Sequence, residues 1–177
     1  MSNLEFIHAS WSAPKNVRAV MSLRQGGISK LQYANLNLAS HVGDKLFAVA
    51  GNRDLLREAL KLDLGYQWLD QVHSADVIEI ESASAKIKAD GLITREPLTA
   101  CCVLTADCLP VMLANKEGTE VAVAHAGWRG LQAGILKNTI AKMTSDPNDI
   151  MAWMGPAIGP CHYEVGIEVK ESFRASA

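Results

Sequence analysis

The sequence predicts a mixed α+β sandwich. Two observations carry this. The apolar segments run in the order strands, helix, many strands, helix, strand, which is not the strict alternation of a doubly wound parallel sheet. With 177 residues, 49% of them hydrophobic, the chain is also long enough for one domain with a real buried core.

Taken in order, Phe6 to Trp11 and Val17 to Leu23 read as the two strands of a hairpin, separated by the turn cluster Ser12-Ala-Pro-Lys-Asn16. Arg24 to Asp44 is rich in Gly, Ser, Asn and Gln and longer than a connector needs to be, as functional or disordered loops are. Asp44 is placed to cap a helix from Lys45 to Leu62, whose Leu46, Val49, Leu55, Leu56, Ala59 and Leu60 form an apolar stripe at helical spacing. Strands follow at Tyr66–Val72, Val77–Glu81, Gly91–Thr94, Ala100–Leu104, Leu109–Leu113 and Glu120–Ala124, bounded by Gly, Asp, Asn or Pro. Trp128 to Met143 repeats apolar residues at Leu131, Ile135, Leu136 and Ile140 and predicts one helix, closed by Ser145-Asp-Pro147. Ile150–Met154 is a last strand, and Gly155-Pro-Ala-Ile-Gly-Pro160 is a rigid turn.

Composition excludes several classes. A net charge of -2 with no basic block argues against a nucleic-acid binder driven by phosphate neutralisation. The apolar runs are strand-sized and far short of a membrane span. The opening Met-Ser-Asn-Leu-Glu-Phe has no basic segment followed by an apolar one, so a cytoplasmic location is expected. The cysteines, Cys101, Cys102, Cys108 and Cys161, then read as reduced thiols. Adjacent Cys101 and Cys102 point to opposite faces of a strand and suit small buried positions.

Three apolar runs end in chemistry that packing does not ask for. Trp68-Leu-Asp-Gln-Val-His73 ends in an imidazole, Val103-Leu-Thr-Ala-Asp-Cys108 in a carboxylate and a thiol, and Val121-Ala-Val-Ala-His125 in a second imidazole followed by Ala-Gly-Trp-Arg-Gly130. If these ends converge, His73, Cys108 and His125 make a three-ligand set suited to Zn²⁺, with a fourth position left for water or substrate. Their wide sequence spacing also fits unrelated residues: a His73 hydrogen-bonded to Asp70 or Gln71, an inert Cys108, and a His125 capping the next helix. Asp107 is a candidate for orienting a ligand or handling protons. Arg24 and Arg129 lie beside glycines, where an anion can approach, and could grip a phosphate or carboxylate or could be solvated surface arginines. Trp128 could stack on a flat base or pack on a sheet.

An ordered series of motifs resembles the YfiH/YlmD-type family, also called the multicopper polyphenol oxidase or laccase-domain family. It comprises Ser22-Leu-Arg24-Gln-Gly-Gly-Ile-Ser29, Leu36-Asn-Leu38, Gly43-Asp44, Asn52-Arg53, Gln71-Val-His73, Ala89-Asp-Gly-Leu-Ile-Thr94, Ala106-Asp-Cys108, His125-Ala-Gly-Trp-Arg-Gly130 and Gly155-Pro-Ala-Ile-Gly-Pro-Cys-His-Tyr-Glu-Val165. The resemblance implies one domain over residues 1–177 with an α/β/β/α sandwich similar to that of cytotoxic necrotising factor catalytic domains. It implies zinc on the positions matching His73, Cys108 and His125. It also implies phosphorolysis of adenosine, inosine and S-methyl-5'-thioadenosine, with adenosine deamination, so that nucleoside and phosphate are the expected partners. Catalytic roles then fall to Asp107, Cys108 and His125, and substrate or phosphate contacts to Arg24, Arg129 and Trp128. The family pattern continues beyond Tyr163-Glu-Val165 through a further helix and strand, so its C-terminal portion is expected to be missing here.

Two other chemistries compete. Two histidines and a cysteine resemble a blue-copper ligand set, and divalent copper outcompetes zinc at many nitrogen sites, so copper is a possible occupant. Full multicopper laccase chemistry needs on the order of ten histidines by ligand arithmetic. The chain has five. The other alternative is a hydrolase in which Cys108 is the nucleophile and His125 its base, as in editing of peptidoglycan precursors. No His-x-Glu followed by Pro-Cys-x-x-Cys supports a cytidine-deaminase site.

Overall fold

The structure is a computed structural model and describes residues 4–61, 65–84 and 87–175. It divides into two compact units, one of residues 1–9 and 18–64, the other of residues 10–17 and 65–177.

In the first unit, β1 (Phe6–His8) pairs antiparallel with β2 (Val20–Ser22), Ile7 opposite Met21, as the hairpin reading expects. The strands are shorter than the apolar runs. Helix α1 covers Leu46–Leu60, and the predicted end at Leu62 lies outside the described residues. Val49, Leu56 and Leu60 are buried at helical spacing, but Leu46 is 69% exposed and does not belong to the stripe. Asp44 does not cap the helix in the expected way. Lys45 is the N-cap and makes no side-chain cap bond; Asp44 Oδ1 accepts from the Lys45 N–H (2.7 Å), while its Oδ2 is drawn into the preceding loop by Ser29 Oγ (2.6 Å) and Asn37 Nδ2 (3.0 Å).

The 24–44 loop is folded against α1. Asn52, fully buried, accepts from the Ile28 N–H and donates through Nδ2 to Ser29 Oγ and to the Asn35 and Asn37 carbonyls. Arg53 donates twice to the Leu38 carbonyl. These bonds satisfy backbone groups that no ladder serves, which gives a strandless segment a fixed course.

The second unit holds two sheets. Its strands are β3 (Gly65–Asp70), β4 (Val77–Glu79), β5 (Ile87–Lys88), β6 (Gly91–Thr94), β7 (Thr99–Cys102), β8 (Leu109–Asn115), β9 (Val121–Ala126) and β10 (Ile150–Met154). One sheet has the order β10-β8-β9-β6-β4 and the other β5-β3-β7. Both parallel and antiparallel pairs occur, β4 lying parallel to β6 while β6, β9, β8 and β10 alternate in direction. The mixed α+β architecture therefore holds. The two-residue β5 is too short to show an alternation and escapes the sequence pattern.

Alternation divides the five-stranded sheet between two cores. Ile93, Val111, Leu113, Ala122 and Ala124 face one way and pack with Ile135 and Met143. Leu92 and Val123 face the other way and pack with Leu69, Ile80 and Ala89, with Cys101 and Val103 against them. The second unit is thus layered helix, sheet, sheet. Burying a side chain the size of Leu92, Ile93 or Ile135, none of which is exposed, contributes about 1.5–3 kcal/mol each. Burial also pushes the Cys101 thiol up to about 12, in keeping with a structural role.

The single helix expected over Trp128–Met143 is two, α2 (Trp128–Ala133) and α3 (Ile135–Lys142). Gly134 separates them with φ of 91°, a left-handed conformation that closes α2 as its C-cap. The apolar spacing runs straight through the break and conceals it. A last helix, α4 (Ile167–Ala175), has no buried residue and was not expected from the pattern. No helix among the described residues is long and apolar enough to cross a membrane.

At the far end of α3, Glu120 is buried at 2% exposure and accepts from the backbone N–H and hydroxyl groups of Thr144 and Ser145, while Arg95 bridges it to Glu79. Desolvation raises the Glu120 pKa, but the Thr144 and Ser145 bonds and the Arg95 charge together bring it below its ordinary value. A depressed folded-state pKa gives stability that is present above the ordinary glutamate value and lost as pH falls through the folded one. Glu120→Gln is expected to cost about 2–3 kcal/mol at neutral pH. In thermal unfolding followed across pH, its deficit against wild type should shrink in acid. A deficit constant down to pH 2 would show that the charge is not the stabilising element.

Candidate metal centre

The register of the sheets brings the candidate ligands together. Pro110 pairs with His125 and Leu109 with Ala126, so Cys108 and Gly127 come next, just past the ends of β8 and β9. His125 does not follow its strand, as the sequence suggests, but lies within β9. Extending the β6–β9 ladder by one position puts Asp90 opposite His125, where the His125 N–H donates to the Asp90 carbonyl at 2.7 Å.

His73 arrives differently. The strand expected to run to Val72 stops at Asp70, because the next N–H groups leave the ladder for a side chain: Val72, His73 and Ser74 all donate to the Asp90 carboxylate, at 3.2, 3.0 and 2.6 Å. His73 adopts φ of 61° at this turn. A residue without glycine's freedom is held there only because its surroundings over-determine it. Gln71 spans to the neighbouring chain segment, donating to the Leu104 carbonyl at 2.8 Å and accepting from the Leu104 N–H at 2.7 Å. That amide takes over where β7 ends.

The ligand atoms of His73, Cys108 and His125 lie within 4.8 Å of one another. The imidazole centroids are 4.8 Å apart with planes at 71°, an edge-on rather than stacked approach. A tetrahedral zinc with ordinary Zn–N and Zn–S bonds places its ligand atoms roughly 3.3–3.7 Å apart, so closure about an ion asks for shifts of about 1 Å or less. His125 is 4% exposed, Cys108 is half-buried and His73 is exposed, which leaves one side of the cluster open to solvent. Neither Asp70 nor Gln71 holds the His73 ring in the way the alternative reading of this residue supposed; Gln71 is committed to Leu104.

The electrostatics suit a cation. Burial, then the carboxylates of Asp107 and Asp90, push the Cys108 thiol above its ordinary value. A thiolate at this place needs a positive partner. The Asp90 carboxylate is fully buried, which by itself raises its pKa, yet the His125 ring and the donors at Ser74 and Val72 bring it below the ordinary aspartate value.

The remaining candidates have the following places. Asp107 is exposed, with φ of 104°, and its carbonyl accepts from the Ile158 N–H, tying the 155–160 turn to the cluster. Trp128 and Arg129 open α2, and the Arg129 guanidinium stacks 4.3 Å over the Trp128 ring. Arg24 belongs to the first unit, where it is exposed and donates to the Ala34 carbonyl at 2.6 Å.

Sequence reasoning missed three residues. Asp90 stands inside a quoted motif, but it is 35 positions from His125 and nothing local reveals the pairing. Gln71 reads as part of a strand end. Gly127 reads as a turn residue, whereas its absent side chain is what makes room: a Cβ there would stand 2.9 Å from Cys108 Sγ and 3.2 Å from His73 Cδ2.

A mixed α+β unit with two imidazoles and a thiol gathered at its strand ends defines a protein with a candidate single-ion metal centre. The chain belongs to the family described as multi-copper polyphenol oxidoreductase laccase, whose model matches residues 18–177. Among its relatives, a Haemophilus influenzae protein named purine nucleoside phosphorylase is 44% identical over 170 residues, covering 96% of this chain and 70% of its own length. Escherichia coli purine nucleoside phosphorylase YfiH is 47% identical over 172 residues, covering 97% of this chain and 71% of its own. The crystal structure of Neisseria meningitidis protein NMB0706 superposes with a TM-score of 0.89 at 41% identity, over 96% of this chain and 70% of that one. YlmD from Geobacillus stearothermophilus gives 0.81 at 34% identity, over 89% and 64%.

Proposed function

We propose that the chain is a zinc-dependent purine nucleoside phosphorylase acting on adenosine, inosine and S-methyl-5'-thioadenosine, with adenosine deaminase activity as well, in the cytoplasm. The observation that carries the reading is the convergence of His73, Cys108 and His125 in a chain whose relatives bear that enzyme's name. The donor set fits zinc: two borderline nitrogens, one soft sulfur, a carboxylate environment that asks for a cation, and an open side. Bound there, the ion supplies Lewis-acid polarisation of an oxygen on the reacting partner.

The chain's own residues supply the rest. In phosphorolysis a phosphate oxygen forms a bond to C1' as the glycosidic bond to the purine breaks, the electron pair and then a proton going to the base. Arg129, in the unit that carries the cluster, is proposed to hold the phosphate, for which planar guanidinium donors are suited, and Arg24 is proposed as an anion contact of the first unit. Trp128 offers a flat face for the purine. Asp107, exposed beside Cys108, is proposed to exchange a proton with the leaving base.

One observation favours a second reading. Asp90, His125 and Cys108 follow one another as the acid, base and nucleophile of a cysteine hydrolase do. Against it, a nucleophilic cysteine is activated by a lowered pKa, and this one is raised. Copper in place of zinc is compatible with the same three ligands. Among the described residues this is the one such cluster, which suits a single ion rather than multicopper chemistry.

The deciding experiment is a nucleoside assay with and without phosphate, on protein as purified, after chelation and after zinc return. Zinc phosphorolysis predicts free base and ribose 1-phosphate only with phosphate, loss on chelation, recovery with zinc, and Cys108 alkylation only in the stripped protein. Activity that survives metal removal and dies on alkylation of Cys108 would instead establish the thiol hydrolase.

A further inference from the structure

One buried side chain contacts two of the three candidate ligands, and it does so without a place in the ligand set. Asp90 is 0% exposed. Its Oδ1 lies 2.8 Å from His125 Nδ1 and accepts from the His73 backbone N–H at 3.0 Å. Its Oδ2 accepts from the Ser74 N–H at 2.6 Å, the Ser74 hydroxyl at 3.0 Å and the Val72 N–H at 3.2 Å. Its carbonyl accepts from the His125 N–H at 2.7 Å.

We propose that Asp90 is the positioning residue of this centre: one carboxylate selects the ring nitrogen that His125 presents to the metal and, through the 72–74 backbone, sets the turn that carries His73. The argument is one of donor counting. Three backbone N–H groups and a hydroxyl crowd the two oxygens, leaving no room for a carboxyl proton, so Asp90 can only accept from His125. Nδ1 must therefore carry the imidazole hydrogen. Nε2 then keeps its lone pair and is the nitrogen His125 has left to offer an ion. Without the carboxylate either tautomer is available, and the Nε2–H form cannot ligate through Nε2.

The same carboxylate compensates the left-handed backbone at His73. Three successive N–H groups turned onto one anion make a local nest, and the energy of that cluster holds a conformation that a histidine otherwise avoids. Losing Asp90 thus disturbs two ligands together, one by its ring and one by its backbone. Asparagine cannot substitute. It keeps one acceptor oxygen and turns an NH₂ either toward the Ser74 and Val72 donors or toward His125 Nδ1, where it would impose the wrong tautomer.

This inference rests on the metal reading of the site, and the test separates the two. Zn²⁺ affinity is measured by competition with a chromophoric chelator for wild type, Asp90→Asn and Ser74→Ala, and the His125 tautomer is read by ¹⁵N-resolved NMR in metal-free wild type. The expected results are Nδ1–H in wild type and affinity weakened about 10- to 100-fold in Asp90→Asn. Ser74→Ala, which removes one hydroxyl from the same carboxylate and nothing from His125, should stay within about threefold of wild type. Failure of wild type to bind zinc would overturn the metal reading itself. Zinc bound by wild type and equally by Asp90→Asn, or an Nε2–H tautomer in wild type, would overturn the role of Asp90 alone. The wild-type tautomer decides the matter even if the variant does not fold.

Discussion

Purified Cys108→Ala protein is expected to emerge essentially free of zinc beside a wild type carrying about one ion per chain. Apparent binding energies of roughly 10–16 kcal/mol for four-ligand structural zinc sites correspond to about 3 kcal/mol per ligand, so one lost ligand weakens binding on the order of a hundredfold or more. The thiol is also the one soft donor of the set. Removing it leaves two imidazoles, one of them exposed, which do not compete well with buffer or chelator. The fold should tolerate the change, because Cys108 is half-buried and neither hydrophobic cluster of the core includes it. Native mass spectrometry of both proteins at equal zinc exposure gives the answer. Full occupancy in Cys108→Ala would remove Cys108 from the ligand set.

Gly127→Ala is the second large effect, and it removes no ligand at all. Gly127 has φ of -67° and ψ of 163°, a conformation open to any residue, so backbone strain contributes nothing. The whole effect is steric. A methyl group 2.9 Å from Cys108 Sγ and 3.2 Å from His73 Cδ2 must drive both side chains back by several tenths of an ångström. Metal sites fail at displacements of that size, and zinc affinity should fall about 10- to 100-fold while the melting temperature of the metal-free protein changes little. Chelator competition together with thermal unfolding separates the two effects. Unchanged affinity would mean that the strand ends yield more readily than the register indicates.

How much of this could be read from the chain depended on whether the cause was local. Gly91–Thr94 and Ile150–Met154 are strands where expected, since an apolar run between turn residues is a local signal. The candidate ligands stand out for a related reason: each is a polar group ending an apolar run. Where long-range partners decide, the reading slips. Val72 looks like strand and is not, because Asp90 takes its N–H. Asp44 has the position of a helix cap, yet it stands one residue before the N-cap, Lys45, and one of its oxygens serves Ser29 and Asn37. The break at Gly134 is invisible to apolar spacing, which continues in phase on both sides, although the glycine itself was the signal. Asp90 was hidden most thoroughly, since its partners lie 16 to 18 positions upstream and 35 downstream.

The link between Gln71 and Leu104 has a mechanical meaning. Strands β3 and β7 are joined by a peptide ladder as far as Trp68 and Cys102, and beyond that point by one side-chain amide standing in for a peptide. A ladder parts only by unzipping from its end, whereas a side-chain splice lets go with a single torsional swing and re-forms as easily. Between the segment leading to Cys108 and the segment leading to His73, hydrogen bonding therefore comes down to the two bonds of Gln71, with the apolar packing of Val103 behind them. The polar tie between the two ligand-bearing segments is thus the work of a single residue, and the ladder behind it does not depend on that residue.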